Sequence, residues 1–312
     1  MPAIQIEGLV KTFAAVRALD GLTLSVEAGS VFGFLGPNGA GKTTTIRILT
    51  GLARADAGHA WVDGVEVTAG RLHSAGHVGY LPQDPSFYPW MTGRELLDHV
   101  GRIFGLPAEE RRARAKELLE LTGIAKASRR RIGGYSGGMR HRLGIAQALM
   151  NRPAVLLLDE PVSSLDPVGR KELLELIERL RGRCTVLMST HILADVERVC
   201  DTVGIINHGK LVIQAPQQEL LERYAAPVFL VETEAEFVPP LHAWAEGLRA
   251  LPWVASVTAQ EKSVRILVRD LDTATRELAA SAVQAGVIYT RYELGIPSLE
   301  EVFMQLVSEG GE

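Results

Sequence analysis

Gly36-Pro37-Asn38-Gly39-Ala40-Gly41-Lys42-Thr43-Thr44 stands between an apolar run, Val31–Leu35, and a helical pattern over Thr45–Leu52. The spacing fits G-x-x-x-x-G-K-[ST], set between a strand and a helix as its mechanism requires. Glycines let the backbone curl so that successive N–H groups converge on one phosphate, and the helix start adds partial positive charge. Lys42 then supplies a point charge for the β- and γ-phosphates, and Thr43 a hydroxyl for Mg²⁺. The stretch predicts a nucleoside-triphosphate site.

Val155-Leu-Leu-Leu158 and Thr185–Met188 are further apolar runs, the mark of central strands in a parallel sheet covered on both faces. Helical patterns at Thr92–Ile103, Arg111–Leu121, Gly138–Met150 and Val168–Arg181 alternate with them, so the fold class expected is α/β. Asp159-Glu160 follows the second run, which places two carboxylates on the rim where open α/β sheets bind ligands. Asp159 is expected to hold Mg²⁺, and Glu160 to orient or deprotonate an attacking water.

The whole sequence agrees with a globular reading. Its 312 residues leave room for two domains, and 46% hydrophobic with 22% charged residues excludes a disordered or fibrous chain. A net charge of −4 gives no electrostatic footprint for nucleic acid. No apolar stretch reaches the roughly 18 residues a spanning helix needs, and Met1–Glu7 lacks a secretory pattern, so the chain is expected in the cytosol. Cys184 and Cys200 show neither disulfide nor zinc spacing and read as small buried hydrophobes. Arg129-Arg130-Arg131 reads as a solvated face.

Beyond Tyr224 the composition changes. Residues 226–312 hold 6 Lys/Arg against 13 Asp/Glu, and residues 1–225 hold 27 against 24, so a basic part precedes an acidic one. A boundary is expected at 225/226. Strand patterns at Val228–Glu234, Val254–Ala259, Val264–Val268 and Val287–Tyr292, with helices at Leu241–Leu251 and Leu271–Ala285, give the order β-α-β-β-α-β of a ferredoxin-like α+β domain. Ser298-Leu-Glu-Glu301 makes a capping box for a terminal helix.

Tyr135-Ser136-Gly137-Gly138-Met139 precedes a helix and supplies a second anion-seeking helix start. With that motif the sequence resembles the ATP-binding subunits of ABC (ATP-binding cassette) transporters over about residues 3–224. Phe13 matches the aromatic that stacks on adenine, Gln83 in Tyr80-Leu-Pro-Gln83 the Q-loop, and Tyr135–Met139 the signature. Ser163-Ser-Leu-Asp166 matches the D-loop, where Asp166 also reads as a helix cap, and His191 in Ser189-Thr-His191 matches the switch histidine.

The resemblance implies a P-loop NTPase domain with an inserted helical subdomain over about 84–150. It implies ATP and Mg²⁺ as ligands, with Gly36 to Thr44 on the phosphates and Thr43, Gln83 and Asp159 around the metal. Glu160, His191 and Gln83 are the implied catalytic set. Ser136, Gly137 and Gly138 are implied to contact ATP held by a second copy, so that ATP binding closes a dimer and hydrolysis opens it. A separate membrane permease is the further partner implied, with this chain peripheral on the cytoplasmic face and no nucleic acid expected.

A soluble ABC ATPase acting on nucleic acid or ribosomes is the alternative. Only about 95 residues separate Lys42 from Ser136, too few for the long coiled coil of repair-type members, and the single motif set lacks the second cassette of translation-type members. Tyr135-Ser-Gly-Gly-Met-Arg140 and Pro297-Ser-Leu-Glu-Glu-Val-Phe303 look like the ABC-2 type, mainly exporters. For the acidic domain a dimerisation or regulatory role is expected, ahead of ligand binding.

Overall fold

A computed structural model describes residues 2–67, 76–223 and 227–295, which fall into two compact units, 1–217 and 218–312. In the first, β3 (Val31–Leu35), β7 (Val155–Asp159) and β8 (Thr185–Thr190) are buried along their whole length. Strands apolar on both sides must be covered on both faces, so they form the middle of a parallel sheet. That sheet has six strands in the order β10-β9-β3-β8-β7-β6, completed by β6 (Val78–Leu81), β9 (Thr202–Asn207) and an antiparallel edge, β10 (Lys210–Pro216).

Register sets the site. Leu35 pairs with Thr190 and Asp159 with Ser189, so three strand ends finish level on one rim.

A second sheet was not legible as a pattern. β1 (Pro2–Phe13), β2 (Val16–Glu27), β4 (Ala57–Val62) and β5 (Val65–Glu66) form an antiparallel sheet in the order β2-β1-β4-β5. Register shifts at several points along β1 break the alternation that would have announced it.

Helices α2 (Gly93–Ile103), α3 (Ala108–Leu121) and α4 (Gly137–Ala148) lie between β6 and β7 and make up the helical segment. α2 opens on a capping box in which Thr92 and Glu95 exchange bonds. α1 (Lys42–Leu49) starts at Lys42, three residues before the expected Thr45, because the glycine loop closes directly into its first turn. α5 (Pro167–Arg179) follows β7, α6 (Leu193–Val199) follows β8, and α7 (Gln217–Arg223) follows β10.

The second unit has β11 (Val228–Glu232), α8 (Val238–Leu248), β12 (Val254–Ala259), β13 (Ser263–Val268), α9 (Leu271–Gln284) and β14 (Arg291–Gly295). Its sheet order, β12-β13-β11-β14, is antiparallel throughout and gives the β-α-β-β-α-β arrangement of a ferredoxin-like domain. α8 begins three residues earlier than expected, with a proline among its first positions, where a missing N–H costs nothing.

The last strand corrects the expectation of Val287–Tyr292. Val287 is buried and donates its N–H to Ala282 O, while Gly286, at φ 72°, donates to Val283 O. This Schellman closure spends the apolar residue on ending α9, and pairing with β11 begins only at Arg291. The terminal helix expected from Ser298 lies outside the described residues.

Core clusters are separate in the two units. Phe32, Phe34, Ile46 and Leu157 belong to one, and Phe229, Trp244, Ile266 and Leu278 to the other. Each unit thus carries what a domain needs to fold alone. Deleting 226–312 is expected to leave a chain that melts cooperatively and binds ATP; loss of the cooperative transition by calorimetry would refute independent folding.

Candidate functional site

Gly36 follows β3 where a side chain has no room, since a Cβ there would lie 2.3 Å from Ile206 O. Gly41, at φ 112°, takes a conformation closed to other residues and turns the chain into α1. Lys42, 4% exposed, curls back around its own loop, donating to Gly36 O at 2.7 Å and Pro37 O at 3.0 Å. Its Nζ also lies 3.4 Å from Glu160 Oε1.

Thr43 Oγ1 donates to Asp159 Oδ1 at 3.0 Å, and Ser189 Oγ donates to the same oxygen at 2.8 Å. Ser189 Oγ in turn accepts the Glu160 N–H at 3.0 Å. That N–H bond helps to hold Glu160 at φ 47°, a left-handed conformation unfavourable for a side chain of its kind. Glu160 Oε2 lies 2.7 Å from His191 Nδ1, and the histidine is the more exposed partner, at 41% against 7%. Lys42, Glu160 and His191 therefore form one chain of contacts from the buried loop to its open mouth.

These groups border a cavity of about 350 Å³, lined by Asn38, Gly39 and Gly41–Thr44 with Gln83, Glu160 and His191. Cationic and N–H donors face it from the loop, and a carboxylate and an imidazole face it from the strand ends. Such a set can hold an anionic phosphate chain and a water beside it. The hydroxyl of Thr43 and the carboxylate of Asp159 are hard oxygen donors brought together, which suits Mg²⁺. A larger groove of about 710 Å³, bordered by Trp61 and Arg183, opens near Gly29 and Thr185 at the other end of the sheet strands.

Other expected residues stand apart from this cavity. Phe13 is half-exposed at the end of β1 with Lys11 Nζ 5.1 Å from its ring centre, so it is not a core aromatic, and it does not line the cavity. Ser136 caps α4 by accepting the Met139 N–H at 3.3 Å. A Cβ on Gly137 would lie 3.7 Å from Leu165, and one on Gly138 would lie 3.8 Å from Gly169, so the start of α4 rests against the Ser163–Asp166 loop and the start of α5. Asp166 takes the N-cap position of α5, yet its side chain makes no capping bond, which corrects the capping reading.

Sequence reasoning passed over several supporting groups. Ser189, fully buried, owes its role to the pairing of β7 with β8. Arg170 donates to Asp195 at 2.7 Å and ties α5 to α6, while burial pushes the Asp195 carboxyl above its ordinary range against that pull. Burial, reinforced by the Asp159 charge, also raises the Tyr80 phenol. Burial pushes Cys184 up to about 11 and Cys200 higher still, in keeping with inert thiols.

The chain is similar to known proteins over both of its units. Residues 19–163 match the ABC transporter family, and residues 216–307 match the family described as ATP-binding protein DrrA1-3-like, C-terminal domain. The chain is 38% identical to the uncharacterized ABC transporter ATP-binding protein YxlF of Bacillus subtilis, over 97% of this chain and 99% of that one. It is 35% identical to the daunorubicin resistance ATP-binding protein DrrA2 of Streptomyces coeruleorubidus, over 99% and 96%. An ATP-binding cassette of an ABC transporter, MJ1267, solved in its ADP conformation, superposes with a TM-score of 0.64 at 26% identity, over 70% of this chain and 92% of that one.

Proposed function

This chain belongs to the family of ABC transporter ATP-binding proteins, and from that premise we propose that it hydrolyses ATP to drive export through a separate membrane subunit. The observation that carries the reading is the convergence of Lys42, Thr43, Asp159, Glu160 and His191 through direct contacts at one rim. The full-length likeness to a daunorubicin resistance protein favours export of a drug-like cargo.

In this reading the loop amides and Lys42 bind the β- and γ-phosphates, and Phe13 meets the adenine. Thr43, Asp159 and Gln83 would hold Mg²⁺, which would supply positive charge against the phosphates. Glu160 takes the proton of the attacking water, and His191 orients that carboxylate and reaches the γ-phosphate.

Two helix starts in one chain, of which only one borders the cavity, favour a dimer with composite sites. Ser136–Gly138 would then close over ATP held by the second copy, with Asp166 beside them. Among the described residues no helix is long and apolar enough to cross a membrane. A place on the cytoplasmic face, beside the membrane subunit, belongs to the same reading.

Tyr88 and Trp90 favour a contact for that partner. They lie on the loop following Gln83, 55% and 62% exposed, with ring centres 4.9 Å apart. An exposed aromatic pair of this kind marks an interaction surface. Capture of the tagged chain from detergent-solubilised membranes is expected to bring down a multi-span protein, identified by mass spectrometry. Trp90→Ala should reduce that recovery at least about tenfold, the loss typical of a central interface aromatic, and leave the hydrolysis of the isolated chain unchanged. Recovery of no integral membrane protein would overturn the transporter reading.

A further inference from the structure

His141 is 4% exposed in the second turn of α4, and none of the motifs above includes it. Its Nε2 lies 3.1 Å from Gln83 O and its Nδ1 lies 3.1 Å from Gly137 O. The ring therefore spans two backbone carbonyls, one in the loop that borders the nucleotide cavity and one at the start of the signature helix.

A carbonyl oxygen only accepts, so the ring must donate, and a neutral imidazole has a single N–H. Gly137 O sits in the first turn of α4, where the helix's own i to i−4 pattern already brings it the backbone N–H of His141. The bond that only the ring supplies is the one to Gln83, which selects the tautomer protonated at Nε2. Three residues along, Gly144 lets α4 press onto the end of β6 and the loop that follows it: a Cβ there would lie 2.4 Å from Leu81 and 3.5 Å from Pro85. Apolar contact thus sets the spacing of helix and loop, and His141 is the polar tie that fixes their register in a place water does not reach.

We propose that His141 is a positioning residue for hydrolysis, binding the Gln83 loop to the helix that presents Ser136–Gly138. The proposal rests on the ATPase reading above. It makes the side of the chain that meets its own γ-phosphate and the side that meets the second copy's ATP move together. The site residues on the P-loop are not touched by the tie, so its loss should slow turnover without weakening ATP binding.

His141→Leu keeps the volume and removes the ring's donor, whereas His141→Gln keeps an N–H at the reach of Nε2. In the full-length protein His141→Leu is expected to lower kcat about tenfold with KM for ATP changed less than about twofold, as loss of a buried hydrogen bond implies. His141→Gln should recover to within about threefold of the parent, the tie being restored. A Leu variant that turns over at the parent rate, or a Gln variant as slow as the Leu variant, would overturn the tie. Hydrolysis by the unaltered chain, measured alongside, separates the two readings: if the parent itself is inactive, the ATPase assignment fails first. A measurement that needs no variant is ¹⁵N NMR of histidine-labelled protein. His141 should show a proton on Nε2, and an unprotonated Nε2 would refute the bond to Gln83.

Discussion

Glu160→Gln is expected to reduce ATP hydrolysis by at least about 100-fold, the scale of a lost general base, while ATP binding survives. The isostere preserves the shape of a side chain that is nearly enclosed, between Lys42 Nζ at 3.4 Å and His191 Nδ1 at 2.7 Å. Its amide can settle with the oxygen toward the Lys42 ammonium and the NH₂ donating to an unprotonated Nδ1, so the local packing is retained. What disappears is the negative charge and the ability to take a proton. Removing that charge from beside the γ-phosphate should leave ATP affinity equal or higher, and the bound nucleotide should persist. With the nucleotide bridging two chains, the dimer should accumulate. Phosphate release and sedimentation velocity with ATP provide the readouts. Unchanged turnover would overturn the assignment of Glu160, and a monomer that retains ATP would overturn the composite site.

How far the site could be read in advance follows from the range over which each residue acts. Gly36 to Thr43, and Asp159 with Glu160, are continuous strings attached to apolar strands, so the motif and the strand end that aims it appear in one window. Ser189 is different. Its hydroxyl serves Asp159 and the Glu160 amide only because Asp159 faces Ser189 across two parallel strands, a register no local pattern records. His141 likewise takes its meaning from the loop at Gln83, 58 positions earlier. In the fold, the apolar runs within the fully buried β3, β7 and β8 were legible, whereas the bulges of β1 hid a sheet. Val287 had the composition of a strand and serves instead to close a helix, because a buried apolar residue satisfies either demand.

Lys42→Ala should produce two losses that can be separated. The Lys42 ammonium is 4% exposed and faces a carboxylate that is 7% exposed, so truncation leaves Glu160 enclosed with only His191 against it. Removing one partner of a buried pair costs about 3 kcal/mol, which should appear as a lower midpoint in urea unfolding of the nucleotide-free protein. Independently, the loss of the point charge for the phosphates should weaken ATP about 100-fold, or roughly 2.8 kcal/mol at 1.4 kcal/mol per tenfold. Adding Glu160→Gln to Lys42→Ala distinguishes the causes. Neutralising the stranded carboxylate should return most of the stability, because the penalty belongs to an unpaired buried charge. It should not restore tight ATP binding, because the phosphates still lack their cation. If the double variant recovers neither quantity, the contact at 3.4 Å is not an energetic pair. Parent-like ATP affinity in Lys42→Ala would instead remove the lysine, and the glycine loop that carries it, from the nucleotide site.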